Sequence, residues 1–328
     1  MRAIVIPEMG DPDVLRLVDL DEPQPGTGQV SIQVAYVGVN YVDILARKRG
    51  YRVDRYPFVP GMEVSGHIRA LGEGVEGFRV GQPVAAMITN GGYAEVAIAS
   101  ADLTVPLDGA HGQLDLAAAA ASQVVMATAY DLLVNLARVR AGETVLIHAA
   151  SGGVWNAACQ LAHTLGAGTV VGTVGSERKI AAAKANGFDQ VVLREGFADA
   201  VRALIKGRGV DVILDAAGEP TRSQSLSLLA PFGRLVIFGS ASGAPDAPIA
   251  PGALIAGTKG VLGYSLSSLI HSDPKHVAAN LREAFELIRT ERARIVISDT
   301  LPLEQAALAH QRFEQGANTG KLLLRIEP

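Results

Sequence analysis

Hydrophobic positions along the chain fall into three successive patterns. Up to about residue 120, short runs alternate apolar with polar or small side chains. In "QVSIQVAYVGVN" (Gln29–Asn40), Ile32, Val34 and Tyr36 stand two residues apart, the period of a half-buried strand. "GMEVSGHIRALGEGVEGFRVGQPVAAM" (Gly61–Met87) is broken by glycine every few residues, as in a compact barrel with sharp corners. From about 121 to 260 the pattern changes. Continuous apolar runs, "ETVLIHA", "GTVVGTV", "DQVVL", "VDVILDAA" and "RLVIFGS", alternate with helix-length segments, "NAACQLAHTL", "SERKIAAAKAN", "FADAVRALIK" and "PTRSQSLSLLA". Such alternation demands a parallel sheet with helices on both faces. From 261 to 328 the sequence predicts one long helix, "PKHVAANLREAFELIRTER", and a tail whose final strand rejoins the first domain.

Composition narrows the class. At 328 residues the chain is too long for one small core and suits two domains. Hydrophobic residues make up 48% and charged residues 19%, the balance of a folded enzyme and not of a disordered chain. A net charge of −4 leaves no electrostatic footprint for nucleic acid. No uninterrupted apolar stretch has bilayer-spanning length, and "MRAIVIPEMGDPD" lacks a signal peptide's apolar core, so neither a membrane nor secretion is expected. The single cysteine, Cys159, cannot form an internal disulfide, and a reducing cytoplasm is the natural compartment. No Pro-rich or Gly/Ser-rich linker separates the domains, which are expected to share a cleft.

Candidate chemistry starts where "TVLI" (Thr144–Ile147) runs into "HAASGGVWNAACQLA" (His148–Ala162). A dinucleotide fingerprint, G-x-G-x-x-G, lies between a strand and a helix, and its glycines allow the tight turn, backbone approach to pyrophosphate and close helix packing. Here Gly152, Gly153 and Val154 keep the turn and the approach, Ala150 replaces the first glycine, and Trp155 replaces the third. An indole there either points into the crevice, where pyrophosphate needs the volume, or packs between helix and sheet after an outward shift of the first helical turn. The alternative is an ordinary strand-to-helix turn without a ligand; the strand before, the helix after and the alternation that follows favour a cofactor site.

The end of the second strand selects the cofactor. NAD sites carry an acid about 20 residues on, to accept from the ribose hydroxyls. This chain has Gly175 and Ser176 there, then Arg178 and Lys179. A hydroxyl with two cations suits the 2′-phosphate of NADPH. A solvated helix start is the bland reading, but cations in a first turn oppose the helix dipole and need another reason to be there. Arg194, after the third strand, is a possible further contact.

The segments "GVNYVDILARKRGY", "PFVPGMEVSGHIRALGEGVEGFRVGQPVAA", "GGYAEVA", "TAYDLL", "HAASGGV", "GRLVIFGS" and "AHQRFEQGANTGKLLL" together resemble, over the whole chain, the zinc-independent quinone oxidoreductase branch of the medium-chain dehydrogenase/reductase superfamily. The resemblance implies an α/β protein: a GroES-like β-rich catalytic domain (1–122 and 262–328) and a Rossmann doubly wound cofactor-binding domain (123–261). It also implies a homodimer, usually made by joining the cofactor-domain sheets edge to edge, and a quinone or α,β-unsaturated carbonyl as substrate. Asn40 and Tyr51 take substrate-pocket positions and Thr128 lies near the nicotinamide; Phe238, Gly239 and Ser240 of the "FGS" turn and Asn318 of the tail join the cofactor-binding set. Leu45 replaces a frequent aromatic, which points to a more apolar pocket.

Zinc-dependent relatives need a Cys and a His where this chain has Asn40 and Met62, neither a good zinc ligand. Cys159 reads as a small packed residue, His67 and His148 as structural. Asp211 and Asp215 share a strand face and read as capping or buried polar groups. No G-x-S-x-G elbow, H-E-x-x-H or Walker sequence is present. Two functions remain: an NADPH-dependent reductase of quinones or enones, or a cofactor-weakened relative recruited as a non-redox tailoring enzyme or a structural protein. Elemental analysis of the purified protein should find no stoichiometric zinc; zinc lost together with activity on chelation would overturn the reading of Asn40 and Met62.

Overall fold

The computed structural model describes residues 1–328 except Ala110, Ser151, Ala317, Asn318 and Pro328. The chain divides into two compact units, Met1–Ala127 with Ser267–Glu291 and Ile295–Pro328, and Thr128–Leu266 with Arg292–Arg294.

In the first unit a two-stranded ribbon, β1 (Arg2–Val5) against β2 (Arg16–Asp19), precedes the long strand β3 (Gln29–Val39). The run read as alternating becomes this strand, but it is buried along most of its length, because it has neighbours along both edges and packed side chains on both faces. It pairs antiparallel with β4 (Glu63–Leu71) and, over Gln29–Gln33, with β6 (Val96–Ser100). Beyond β4 lie β5 (Pro83–Met87) and then β7 (Thr104–Pro106). The C-terminal strand, Lys321–Arg325, pairs antiparallel with β3, Leu322 opposite Val39, so the tail does rejoin the first unit. Ile32, Val34, Val64, Ile68, Val84 and Leu324 meet in its core. Helix α1 (Tyr41–Arg49) follows β3 directly and stops at Gly50, whose φ of 62° is the left-handed turn that glycine adopts without strain.

Helix α2 (Leu116–Tyr130) continues through π-helical turns at Asp131–Leu136. Its sequence is interrupted by Ser122, Gln123 and Asp131, yet the 21 residues are long and apolar enough to cross a bilayer by length and composition, with 72% of the most apolar window buried in the protein. Burial all round is what makes a core helix apolar.

The second unit holds six parallel strands, β8 (Thr144–Ile147), β9 (Thr169–Val174), β10 (Gln190–Leu193), β11 (Val210–Asp215), β12 (Leu229–Ile237) and β13 (Gly260–Gly263), in the order β10-β9-β8-β11-β12-β13. The reading of five strands missed β13, whose four residues "GVLG" are too short and glycine-rich to show a period. It also started the fifth at Arg234, whereas β12 begins at Leu229. The connecting helices are α3 (Gly153–Thr164), α4 (Ile180–Ala185), α5 (Phe197–Ile205) and α6 (Thr221–Leu228). Strand order reverses between β8 and β11, the switch point at which open α/β sheets bind ligands beyond the carboxyl ends of their strands. Asp211 accepts from the Thr144 amide at 2.8 Å. Asp215, fully buried, accepts from the Ala217 amide at 2.7 Å and pairs with the Arg222 guanidinium at 2.8 Å. Both carboxylates on this strand face have structural work, in line with the capping or buried polar role expected of them.

Candidate functional site

Three groups gather at the carboxyl ends of β8, β9, β11 and β12 in the second unit, and a fourth lies beside the end of β13. The first is the fingerprint turn. Gly152 caps α3, and Gly153 and Val154 open it, so their amides belong to the unpaired donors of a helix N-terminus, where an anion is favoured. Trp155 lies in the same turn. An ideal Cβ on Gly152 would meet its Cδ1 at 2.8 Å and Nε1 at 2.9 Å, and its ring packs on Phe238, centroids 5.1 Å apart and tilted 55°. The indole therefore reaches from α3 towards the end of β12, and the absent side chain of Gly152 leaves the space it uses. Helix-to-sheet packing is left to Ala157, Ala158, Cys159, Leu161 and Ala162, all buried. The indole rests over Gly152 and against Phe238.

The second group is cationic. Gly175 and Ser176 follow β9, and Lys179 ends the short turn Glu177–Lys179. The Arg194 guanidinium comes within 3.6 Å of an ideal Cβ on Gly175, so two segments distant in sequence bring their polar and charged groups to one edge. Arg178 and Glu177 are exposed there. Burial, helped by the Arg194 charge, holds His148 down at about 3. The neutral imidazole bridges Thr173 Oγ1 at 3.1 Å and Ser225 Oγ at 2.8 Å, a structural role. Cys159 is buried and its thiol is pushed up to about 12.

The third group is the turn after β12. The Phe238 amide donates to Asp215 O at 3.0 Å, and the Gly239 carbonyl accepts from Arg222 at 2.6 Å. Ser240 Oγ lies 2.6 Å from an ideal Cβ on Gly218. One buried guanidinium, which also pairs with Asp246, thus ties together the loops after β11 and β12. An open cavity of about 600 Å³ is lined there by Arg222, Phe238, Gly239, Ser240 and Tyr264.

The fourth is a hydrogen-bond chain that the sequence did not suggest. Thr128 is buried and its hydroxyl bonds to that of Tyr264. The Tyr264 hydroxyl donates to Asp131 Oδ2 at 3.1 Å, and Asn135 Nδ2 donates to Asp131 Oδ1 at 2.6 Å. Burial, reinforced by the Asp131 charge, raises the Tyr264 hydroxyl, which stays a donor. The available signal was an aspartate inside an apolar helix, in "TAYDLL".

In the first unit, Asn40 ends β3 and caps α1. Its Oδ1 accepts from Lys321 Nζ at 2.5 Å, and its Nδ2 donates to Glu63 Oε1 at 2.8 Å and to Gly38 O at 3.2 Å. Both amide hydrogens are engaged inside the protein. Lys321 also pairs with Glu63 at 2.6 Å, both side chains nearly inaccessible. A Cβ at position 38 would strike Glu63 and come within 2.8 Å of Ala120 O, so glycine is needed there for the carboxylate to fit. Asp43 accepts from the amides of Asn40 at 2.8 Å and Gly61 at 3.1 Å. Tyr93 bridges Asp43 and His310, and Arg47, fully buried, donates to His310 Nδ1 at 3.3 Å and to Glu314 at 2.7 Å. The sequence reading missed Glu63, Asp43, Tyr93, His310 and Lys321. Tyr51, in the loop after α1, is 49% exposed. Asn318 lies outside the described residues. Among the described residues no three His, Cys, Asp or Glu side chains cluster as a metal site; a lysine ammonium is the cation beside Asn40.

Burial pushes Asp43 up to about 7, against an ordinary value of 3.8. Folding thus favours its protonated form: this contribution is complete below pH 3.8 and is lost as pH rises to about 7. The unfolding free energies of wild type and Asp43→Asn, from urea titrations, should converge by roughly 2 kcal/mol between about pH 5 and 7. A constant gap would show that Asp43 does not titrate there.

Residues 26–109 match the alcohol dehydrogenase GroES-like domain family and residues 153–285 the zinc-binding dehydrogenase family. Quinone oxidoreductase of Homo sapiens is 34% identical over 332 residues, 99% of this chain and 98% of its own length. Escherichia coli quinone oxidoreductase, solved as a complex with NADPH, has a TM-score of 0.91 at 29% identity and covers 99% of this chain and 100% of its own. A mycobacterial protein complexed with NADPH has a TM-score of 0.90 at 35% identity, again over 99% of this chain and 100% of its own. With relatives at this identity aligned from end to end, the chain belongs to the quinone oxidoreductase family of the medium-chain dehydrogenase/reductase superfamily.

Proposed function

We propose that this chain is an NADPH-dependent, metal-independent reductase of quinones or α,β-unsaturated carbonyls. The observation that carries the proposal is the approach of the Arg194 guanidinium to Gly175, next to the turn that carries Ser176 and Lys179, where the chain has a hydroxyl and cations in place of a ribose-binding acid. The fingerprint amides of Gly153 and Val154 suit the pyrophosphate. Phe238, Gly239 and Ser240 border the route towards the nicotinamide, with Thr128 held by Tyr264. That two structural neighbours are complexes with NADPH supports the same cofactor.

NADPH held by these residues would supply a hydride to the β-carbon of the acceptor, which leaves negative charge on the carbonyl oxygen. The protein's task is to offer that oxygen a hydrogen-bond donor. Tyr51 carries an exposed hydroxyl suited to it, and solvent supplies the proton that completes reduction. Asn40, with both amide hydrogens committed to Glu63 and Gly38, serves by fixing the end of β3 and the start of α1. The same reading takes the protein as a cytoplasmic homodimer. Phe232 and Ile255, each 79% exposed near the edge strand β13, suit the sheet-to-sheet contact.

Trp155 favours a second reading, a relative whose cofactor binding has weakened and whose role is not redox, because its indole occupies space beside the fingerprint turn.

NADPH consumption with a quinone and with an enone as acceptors decides between them. Lys179→Ala should raise the KM for NADPH much more than that for NADH; equal effects would remove Lys179 from the 2′-phosphate. Tyr51→Phe should lower kcat by about 10²-fold, the scale of a lost oxyanion donor, whereas an unchanged rate would make Tyr51 a surface residue.

A further inference from the structure

The chain has one tryptophan, and it stands where the fingerprint's third glycine would be. Its indole covers Gly152 on one side and packs on Phe238 on the other, while the residue as a whole is only partly buried. The amides that suit a pyrophosphate, those of Gly153 and Val154, belong to the same helical turn. A pyrophosphate approaching that turn and an indole resting on Gly152 compete for one volume. The cationic edge at Gly175 and Arg194 lies at the end of β9, on the other side of β8 from β12, where the ring meets Phe238.

We infer that Trp155 is a displaceable gate over the pyrophosphate path, and so sets the cofactor affinity of this chain. The inference rests on NADPH being the cofactor. The dinucleotide binds only the molecules whose indole has left Phe238, and its apparent affinity falls by the fraction that is open. An aromatic pair of this kind favours the closed form by about 2- to 10-fold. A fragment that carries the 2′-phosphate but has no 5′-phosphate, adenosine 2′-monophosphate, uses the cationic edge alone and does not meet the gate.

Calorimetric titration of wild type, Trp155→Ala and Trp155→Gly with both ligands tests this. The variants should bind NADPH about 3- to 10-fold more tightly and the monophosphate unchanged. In the wild type, NADP⁺ should shift the emission of the sole tryptophan to the red as the ring leaves Phe238, and the monophosphate should not. Unchanged or weaker NADPH binding by both variants, with the monophosphate still bound, overturns the gate and leaves the cofactor assignment standing. Failure of every protein to bind either ligand overturns the cofactor assignment, and the gate with it. Should both variants fail to fold, wild-type emission unmoved by saturating NADP⁺ overturns the gate on its own.

Discussion

A buried ammonium holds the first unit together. Lys321, on the C-terminal strand, meets Asn40 at the end of β3 and Glu63 at the start of β4, and Glu63 reaches on to the Val124 amide in α2 at 2.8 Å. Four segments remote in sequence therefore depend on one ion pair. Taking either partner away would leave an unpaired buried charge, which costs about 3–5 kcal/mol. The pair is tolerable only because its remaining valences are filled, and that requirement reaches outward. Glycine is needed at 38 for the carboxylate to fit, and Asn40 must present its oxygen to the lysine and its nitrogen to the glutamate.

From Asn40 the polar chain continues through Asp43, Tyr93 and His310 to Arg47. Burial pushes His310 down to about 3, with the Arg47 charge adding to it, so the imidazole is neutral and accepts from the guanidinium. Each group is polarised by the next, which makes such a network rigid when satisfied and costly when broken. Its effect is to fix the N-terminus of α1 and the Gly61 turn, and with them the segment from Asn40 to Tyr51 that the proposed reaction uses.

The second unit solves a different problem, that of keeping loops at the end of a sheet in place. Arg222 does so by bonding Asp215, Asp246 and the Gly239 carbonyl at once. On this fixed frame one local rule is broken, with the largest side chain set where the smallest is expected. Departures of that kind are expected at functional sites, where consistency between local pattern and fold gives way.

The sequence by itself determined what depends on near neighbours. The changes of hydrophobic period located β3, five of the six parallel strands and the long helix Pro274–Arg289, because burial of one face or of both imposes a repeat on adjacent residues. It also placed Ser176 and Lys179 at a strand end and put Asp211 and Asp215 on one face. Tertiary structure alone decided what depends on distant partners. Arg194 lies by Gly175 only because β9 and β10 are neighbours in the sheet. The Thr128–Tyr264–Asp131 chain, the Lys321–Glu63 pair and the Tyr93–His310 contact likewise join residues with no local pattern in common. The direction of the Trp155 indole belongs with these. The helical turn permits either course, and Phe238, arriving on another strand, gives the ring a surface to pack on.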